Sequence, residues 1–445
     1  MAYRIAGIDV HKKMVAVVIA DVDVAGTWRF ERRQLGTSPT PLRGLADWLV
    51  EREVVEVVME STAQYWRPVW EALERHWQPR MPPTDGWPRA GALHLAQAQS
   101  NHGPRGRKRD FPDAERLVKR LIAEELTLRF VPDVTQRLWR TVARRKNQST
   151  GNRVQRQNRL ECLLEEMHIK LSRLVTDLIG PSARRMRRAI ATGETDPGAV
   201  AALGSRRLHA TPDQLRDALG ACTDLHPVYR RLLALTLDEL EVIERHIHQL
   251  DEELAQLLRG HQDAVERLAA VPGLGVDSAQ QIITEVGPTA ATFATAKRLA
   301  SWVGVCPGHD ESAGINHSHR APNGNRQMRR LLNQAANAAV KAKGSIFQLV
   351  YQRLVVRLGH AQAIGAIAHR LCRLIWKILH DGVTDDERGP AVTKHRAQRR
   401  AAQDDSRTPQ PRLSRRAHAP SRERSGMIAG VFRPWPALLN NPGAP

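Results

Sequence analysis

This sequence is short of acids, cysteines, aromatic residues and long apolar runs, and each shortage narrows its possible functions. Forty-seven Asp and Glu face 67 Lys and Arg, a formal charge of +20 over 445 residues. Such a balance suits a polyanionic partner, nucleic acid first and an anionic membrane surface second. The four cysteines, Cys162, Cys222, Cys306 and Cys372, lie far apart with no CxxC or Cys-His ligand spacing. That pattern argues against both a zinc site and a disulfide framework. No run of eighteen apolar residues occurs, and the first residues lack the basic, apolar and small-residue order of a secretory leader. No membrane association is expected, and the cytoplasm is the expected compartment. The length allows two to four domains.

What is present begins with "AGIDVHKKMVAVVIADVD". Tyr3 to Ile8 and Met14 to Asp21 read as two strands of a hairpin across His11-Lys12-Lys13, with Asp9 where the first strand ends. A third apolar run, Val54 to Met59, ends in Glu60 and precedes a helical stretch around Trp66 to Leu73. The Pro-, Gly- and Trp-rich interval His76 to Ala92 reads as a loop, and "ALHLAQAQSN" as a fourth strand. A basic loop then enters a helix with Asp110 and Asp113 three apart, hence on one face. Clustered carboxylates repel, so keeping Asp9, Glu60, Asp110 and Asp113 ionised at one place needs a cation. Oxygen-only ligands favour Mg²⁺ or Mn²⁺, which can clamp the oxygens of a phosphodiester. Asp110 before Phe111-Pro112-Asp113 fits a helix cap equally well.

From Arg137 to about Gly260 the pattern is helical, broken near Gly180 and around Thr192 to Pro212. Leu233, Thr236, Leu240, Ile243, Ile247, Leu250, Leu254 and Leu257 alternate spacings of three and four, a coiled-coil seam that needs a partner helix in cis or from a second subunit. Val271 to Ile282 contains Pro272-Gly273-Leu274-Gly275. These residues match a helix-hairpin-helix turn whose Gly273 and Gly275 let backbone N–H groups reach a phosphate; a plain tight turn is the alternative. Ser312 lies in a glycine-flanked loop near His309, His317 and His319, before a helix carrying Arg326, Arg329 and Arg330. A serine there can attack phosphorus with guanidinium help, although most loop serines have no chemical role. The histidine spacing matches no standard zinc site. Beyond Gly389 the Arg-, Ala-, Ser- and Pro-rich chain reads as a basic disordered tail.

In order, "GIDVHKK", "VMESTAQYWRPVWEALE", "RGRKRDFPDAERL", "VPGLGVDSAQQIITEVGP", "LASWVGVCPGHDESAG" and "GNRQMRRLLNQAA" resemble the DEDD transposases of bacterial insertion sequences, from about Ala6 to Asp381. The resemblance implies an α/β plus α chain: an RNase H-like (RuvC-like) domain over 1–150, a helical linker and coiled coil over 151–260, and a serine transposase domain with helix-hairpin-helix over 261–386. The tail, 387–445, has no family counterpart. It further implies that Asp9, Glu60, Asp110 and Asp113 hold metal and that Ser312 links covalently to DNA. The implied partners are element-end and target DNA, a bridge RNA encoded in the element, and further copies of the chain, as a dimer or tetramer through the coiled coil. His76 to Ala92 is an insertion relative to the family pattern, and Asn323 replaces its usual lysine. Two other readings stay open, a metal-dependent nuclease of branched DNA and a noncatalytic nucleic-acid-binding protein. A tyrosine recombinase is disfavoured, since Tyr3, Tyr65, Tyr229 and Tyr351 sit in no Arg-His-Arg setting.

Overall fold

The computed structural model describes residues 3–22, 28–60, 63–78, 92–101, 110–205, 208–306, 311–312, 315–316 and 323–384. The expected tail and most of the His76–Ala92 interval lie outside the described residues. Strands β1 (Tyr3–Val10), β2 (Met14–Val22) and β3 (Trp28–Gly36) form an antiparallel meander. On the other side of β1, β4 (Glu56–Glu60) and β5 (Ala92–Ala96) add in parallel, and β6 (Leu128–Arg129) adds antiparallel, giving the order β3-β2-β1-β4-β5-β6. The "ALHLA" strand expected fourth is therefore fifth in the chain. Its register with β4, Glu56 opposite Ala92 through Glu60 opposite Ala96, is unbroken beside the insertion.

The inner strands are apolar on both faces because helices cover both. Helices α1 (Pro39–Glu51) and α2 (Trp66–His76) pack on one side around Ile8, Val17, Trp48 and Leu73. Helix α3 (Asp110–Ile122) covers the other through Leu117 and Val118. Two-sided burial is why β1, β2 and β4 read as continuous apolar runs rather than alternating ones. The edge strand β3 escaped sequence reading, since Arg29, Glu31, Arg32 and Arg33 conceal its periodicity. Arg32 bonds Glu115 of α3 at 2.8 Å, and Glu31 accepts from Arg52 at 2.8 Å.

The remainder is helical. Helix α4 (Val134–Glu166) leads into α5 (Pro181–Ala191), α6 (Pro197–Ala202) and α7 (Pro212–Ala218), and α8 (Pro227–Leu257) returns antiparallel along α4. Lys146 of α4 pairs with Asp251 of α8, and Arg156 with Glu239 at 3.1 Å. Then follow α9 (Gln262–Ala269), α10 (Val276–Val286), α11 (Ala296–Val303), α12 (Arg326–Ala339) and α13 (Ile346–Asp381), which breaks at Gly359 with φ +76°. Trp139 and Ala143 from α4, with Leu254 and Leu258, belong to this last core. Residue 150, where a domain boundary was expected, thus falls inside α4, a single rod shared by all parts of the chain.

The seam on α8 has its partner in cis, α4. Leu233, Leu240 and Leu254 are buried as the spacing predicts, but Leu237 takes the inward place expected for Thr236. The Thr236 hydroxyl donates instead to Leu232 O at 2.8 Å. The packing of α5 and the small middle core draws the buried stripe toward Leu237. Ile243, Ile247, Leu250 and Leu257 remain half-buried.

The close approach of α3 to β1 depends on Gly7. A Cβ there would lie 2.3 Å from Ala114 O and 2.8 Å from Val118 Cγ2. Gly7→Ala is expected to push α3 off the sheet and cost about 1–3 kcal/mol, read as a lower urea midpoint; an unchanged midpoint would contradict this packing.

Candidate functional site

The C-terminal ends of β1 and β4 lie side by side, since Ile8 pairs with Met59, and so Asp9 and Glu60 leave the sheet together. The α3 contact at Gly7 brings the first turn of that helix, with Asp110 and Asp113, to the same corner. Asp9 is buried, 8 % exposed. His11 Nε2 lies 3.3 Å from Asp9 Oδ2 and 3.2 Å from Asp110 Oδ1. Ligand atoms of Asp9, His11 and Asp110 all fall within 4.8 Å of one another.

The other two acids are near but differently engaged. Glu60 Oε2 accepts from Asn101 Nδ2 at 3.0 Å, and Asp113 accepts from Arg116 one turn along its own helix, at 2.9 Å from Nη1. Burial pushes the Asp9 carboxyl up to about 6; His11 opposes this, and the charges of Glu60, Asp113 and Asp110 add to it. The other three acids therefore all lie near enough to act on Asp9. A site of oxygen donors plus one imidazole, with a buried acid held above its ordinary range, fits a hard divalent cation. Asn101 Oδ1, buried and without a hydrogen-bond partner beside Glu60, is a further oxygen consistent with that donor set. His11 and Asn101 were not anticipated. His11 read as a hairpin-turn residue, and Asn101 reaches Glu60 only through the pairing of β4 with β5.

Ser312 lies in a two-residue strand, β7 (Glu311–Ser312), paired with β8 (Ile315–Asn316). Its side chain, and His309, His317 and His319, lie outside the described residues. The neck of this loop is closed by backbone packing. Gly304 ends α11 in the left-handed region, and a Cβ on Gly324 would lie 2.4 Å from Val303 O. Asn325 N–H donates to Trp302 O at 3.0 Å, and its Oδ1 caps α12 by accepting from Gln327 N and Met328 N.

A buried carboxylate that sequence reading missed anchors this neck to α4. Glu285, 4 % exposed, accepts from Arg144 at 2.9 and 3.0 Å and from Asn325 Nδ2 at 2.9 Å, with Arg140 at 3.5 Å. Burial alone would raise its pKa, but the two guanidiniums and the amide outweigh burial and hold it below the ordinary glutamate range. Arg137 pairs with Glu74 of α2, so α4 is tied to both ends of the molecule.

The glycine turn separates into two roles. Gly273 has φ +87°, and a Cβ there would meet Ala335 O of α12 at 2.4 Å. Packing against α12 accounts for this glycine, where phosphate approach was expected. Gly275, by contrast, is exposed with open space where a side chain would stand. Arg326, exposed, and Arg329, half-buried, sit on the first turn of α12.

A mixed sheet carrying an acid cluster, followed by a mostly helical remainder, fits an RNase H-like domain of the DEDD class. A family model of the IS110 DEDD type, described as Transposase, matches residues 6–169, and one described as Transposase IS116/IS110/IS902 family matches 265–352. The chain belongs to this family of insertion-sequence transposases. It is 28 % identical over 251 residues to an uncharacterized 43.6 kDa protein of insertion element IS110 from Streptomyces coelicolor, covering 53 % of this chain and 60 % of that protein. An uncharacterized 42 kDa protein of IS900 from Mycobacterium paratuberculosis is 27 % identical over 34 % of this chain and 38 % of its own length. An uncharacterized 44.8 kDa protein of IS116 from Streptomyces clavuligerus is 26 % identical over 35 % of this chain and 39 % of its own. The matched segments thus span at most 60 % of these relatives. Among the described residues, no helix is long and apolar enough to cross a membrane.

The raised Asp9 pKa fixes the sign of a pH effect. Well below pH 3.8 the carboxyl is protonated folded or unfolded and costs nothing, and only a small cost has developed by about pH 4. Above about pH 6 it is ionised in both states, and the shift from 3.8 to about 6 costs the metal-free fold about 3 kcal/mol. In chelator, Asp9→Asn is expected to be more stable than the parent above pH 6, with the difference small by about pH 4. Urea titrations across that range check it, and a variant less stable at pH 8 would contradict the clustering.

Proposed function

We propose that this protein is the transposase of its insertion sequence, cutting and exchanging DNA strands at element ends and target. In this reading Asp9, Glu60, Asp110 and Asp113 hold Mg²⁺ or Mn²⁺, with His11 beside them. The observation that carries it is Asp9, a carboxylate whose pKa is raised by burial first and by three neighbouring acids in addition, a condition that a divalent cation relieves. When bound, the cation supplies Lewis acidity at the phosphate. Asn101 orients Glu60, and Arg116 holds the Asp113 carboxylate to one side of α3.

Ser312 is the nucleophile in this proposal, assigned from the family motif. Its Oγ forms the bond to phosphorus and its proton passes to solvent. The bond from phosphorus to the leaving sugar oxygen breaks, and that oxygen takes up a proton as a free hydroxyl. A hydroxyl of the second strand then attacks the serine-linked phosphorus, which joins the strands and restores Ser312. Arg326 and Arg329 stabilise the charge that develops on the phosphate oxygens. Gly275, at the exposed start of α10, provides a backbone N–H for a phosphate, as in a helix-hairpin-helix.

Guidance by an element-encoded bridge RNA rests on the family resemblance, while the +20 charge suits DNA and RNA alike. The half-buried stripe Ile243, Ile247 and Leu250 on α8, with exposed Val242 on the same helix and exposed Val154 on α4, supports a coiled-coil dimer or tetramer.

The test is trapping of a denaturant-resistant protein–DNA adduct, with protein co-expressed with its flanking noncoding region, element-end DNA and Mg²⁺. An adduct lost in both Ser312→Ala and Asp9→Ala is expected. Cleavage without an adduct, unaffected by Ser312→Ala, would replace this reading by a metal-dependent nuclease in which water attacks.

A further inference from the structure

A cleft of about 600 Å³ opens between the first domain and the helical domain, lined by Gln97, Ala98 and Arg129 on one side and Asn323, Gly324, Arg326 and Arg329 on the other. Its place in the fold follows from register. Ala96 pairs with Glu60 across β4–β5 and with Leu128 across β5–β6, so Arg129 and Gln97 flank the sheet end that carries the acid cluster. The short helical turn that begins at Ala98 ends at Asn101, the residue bonded to Glu60. The opposite wall is the first turn of α12, whose backbone dipole favours an anion.

The wall charges are of one sign. Arg129 and Arg326 are exposed, and neither makes an ion pair with an acid among the described residues. Arg129 and Arg326, held across a polar cleft without carboxylates among its lining, repel one another, and an anion offsets that repulsion. Phe130, next to Arg129, is 54 % exposed, the most exposed of the described phenylalanines. A basic groove with an adjacent exposed aromatic is the combination that grips single strands through backbone charge and base stacking. The volume matches pockets of roughly 300–1,000 Å³ that enclose small ligands, which suits a short strand and not a duplex.

We infer that this cleft is a binding site for the phosphodiester backbone of a single nucleic-acid strand, with Arg129 of the first domain and Arg326 of the second gripping the same strand beside the acid cluster. Arg129 is thereby a binding residue with no counterpart in the motifs that mark the family here. The inference takes its purpose from the proposed action on DNA, but binding itself requires no catalysis.

The experiment uses full-length Ser312→Ala protein, so that loss of the serine chemistry leaves the readout intact. Fluorescence anisotropy of labelled oligothymidylate and oligouridylate is followed against salt for Arg129→Gln, Arg326→Gln and Arg43→Gln, the last an exposed arginine on α1 away from the cleft. Each cleft variant is expected to reduce the slope of log affinity against log salt by about 0.7, with Arg43→Gln leaving it unchanged. A larger loss with DNA identifies the strand as substrate and a larger loss with RNA identifies it as guide; either supports the cleft. Slopes unchanged in both cleft variants, or lowered equally by Arg43→Gln, would overturn it.

Discussion

Carboxylates gathered at one corner of a sheet repel one another, and the first domain is built so that they cannot separate. Strands β1 and β4 are buried on both faces and end together at Asp9 and Glu60. The bare Cα of Gly7 lets α3 settle against β1 and bring Asp110 into reach of His11. The hydrophobic packing of Leu117 and Val118 holds α3 in place, and Asp9, buried at this corner among the other acids, has a raised pKa, from burial first and from the neighbouring charges in addition. A site that holds its acids in this way in its ligand-free form is set up to take a cation.

The second constraint is the length of α4. Its first turns belong to the core of the C-terminal helices, its middle pairs with α8, and Arg137 reaches back to α2. Glu285 locks Arg144 of this helix to Asn325, whose other amide atom caps α12. One buried carboxylate thus fixes the position of the α12 arginines relative to the rod and closes the neck of the serine loop. A buried, fully bonded ion pair contributes geometry more than net stability.

Much of the first domain was legible because two-sided burial writes strands as unbroken apolar runs, and an acid at the end of such a run stands out. Asp9 and Glu60 were visible for that reason. The edge strand β3 was not, since solvent on its outer side permits the charges of "WRFERRQ" to mask its alternation. His11, Asn101 and Glu285 acquire their roles from residues distant in sequence, so no local pattern marks them. Gly273 was legible as a special glycine, but the reason lay in α12, some sixty residues on. The seam of α8 was found with one position misplaced, because spacing alone does not say which neighbours pack where along a long helix. The role of Ser312 came from family motifs and not from its local pattern.

The account turns on the acid cluster being a divalent-cation site, and direct Mn²⁺ titration followed by electron paramagnetic resonance tests it. The parent protein is expected to bind Mn²⁺ in a site that Mg²⁺ competes for, with binding abolished or greatly weakened in Asp9→Asn and Glu60→Gln. Mn²⁺ binding of equal strength in the parent and both variants, or none in the folded parent, would contradict it.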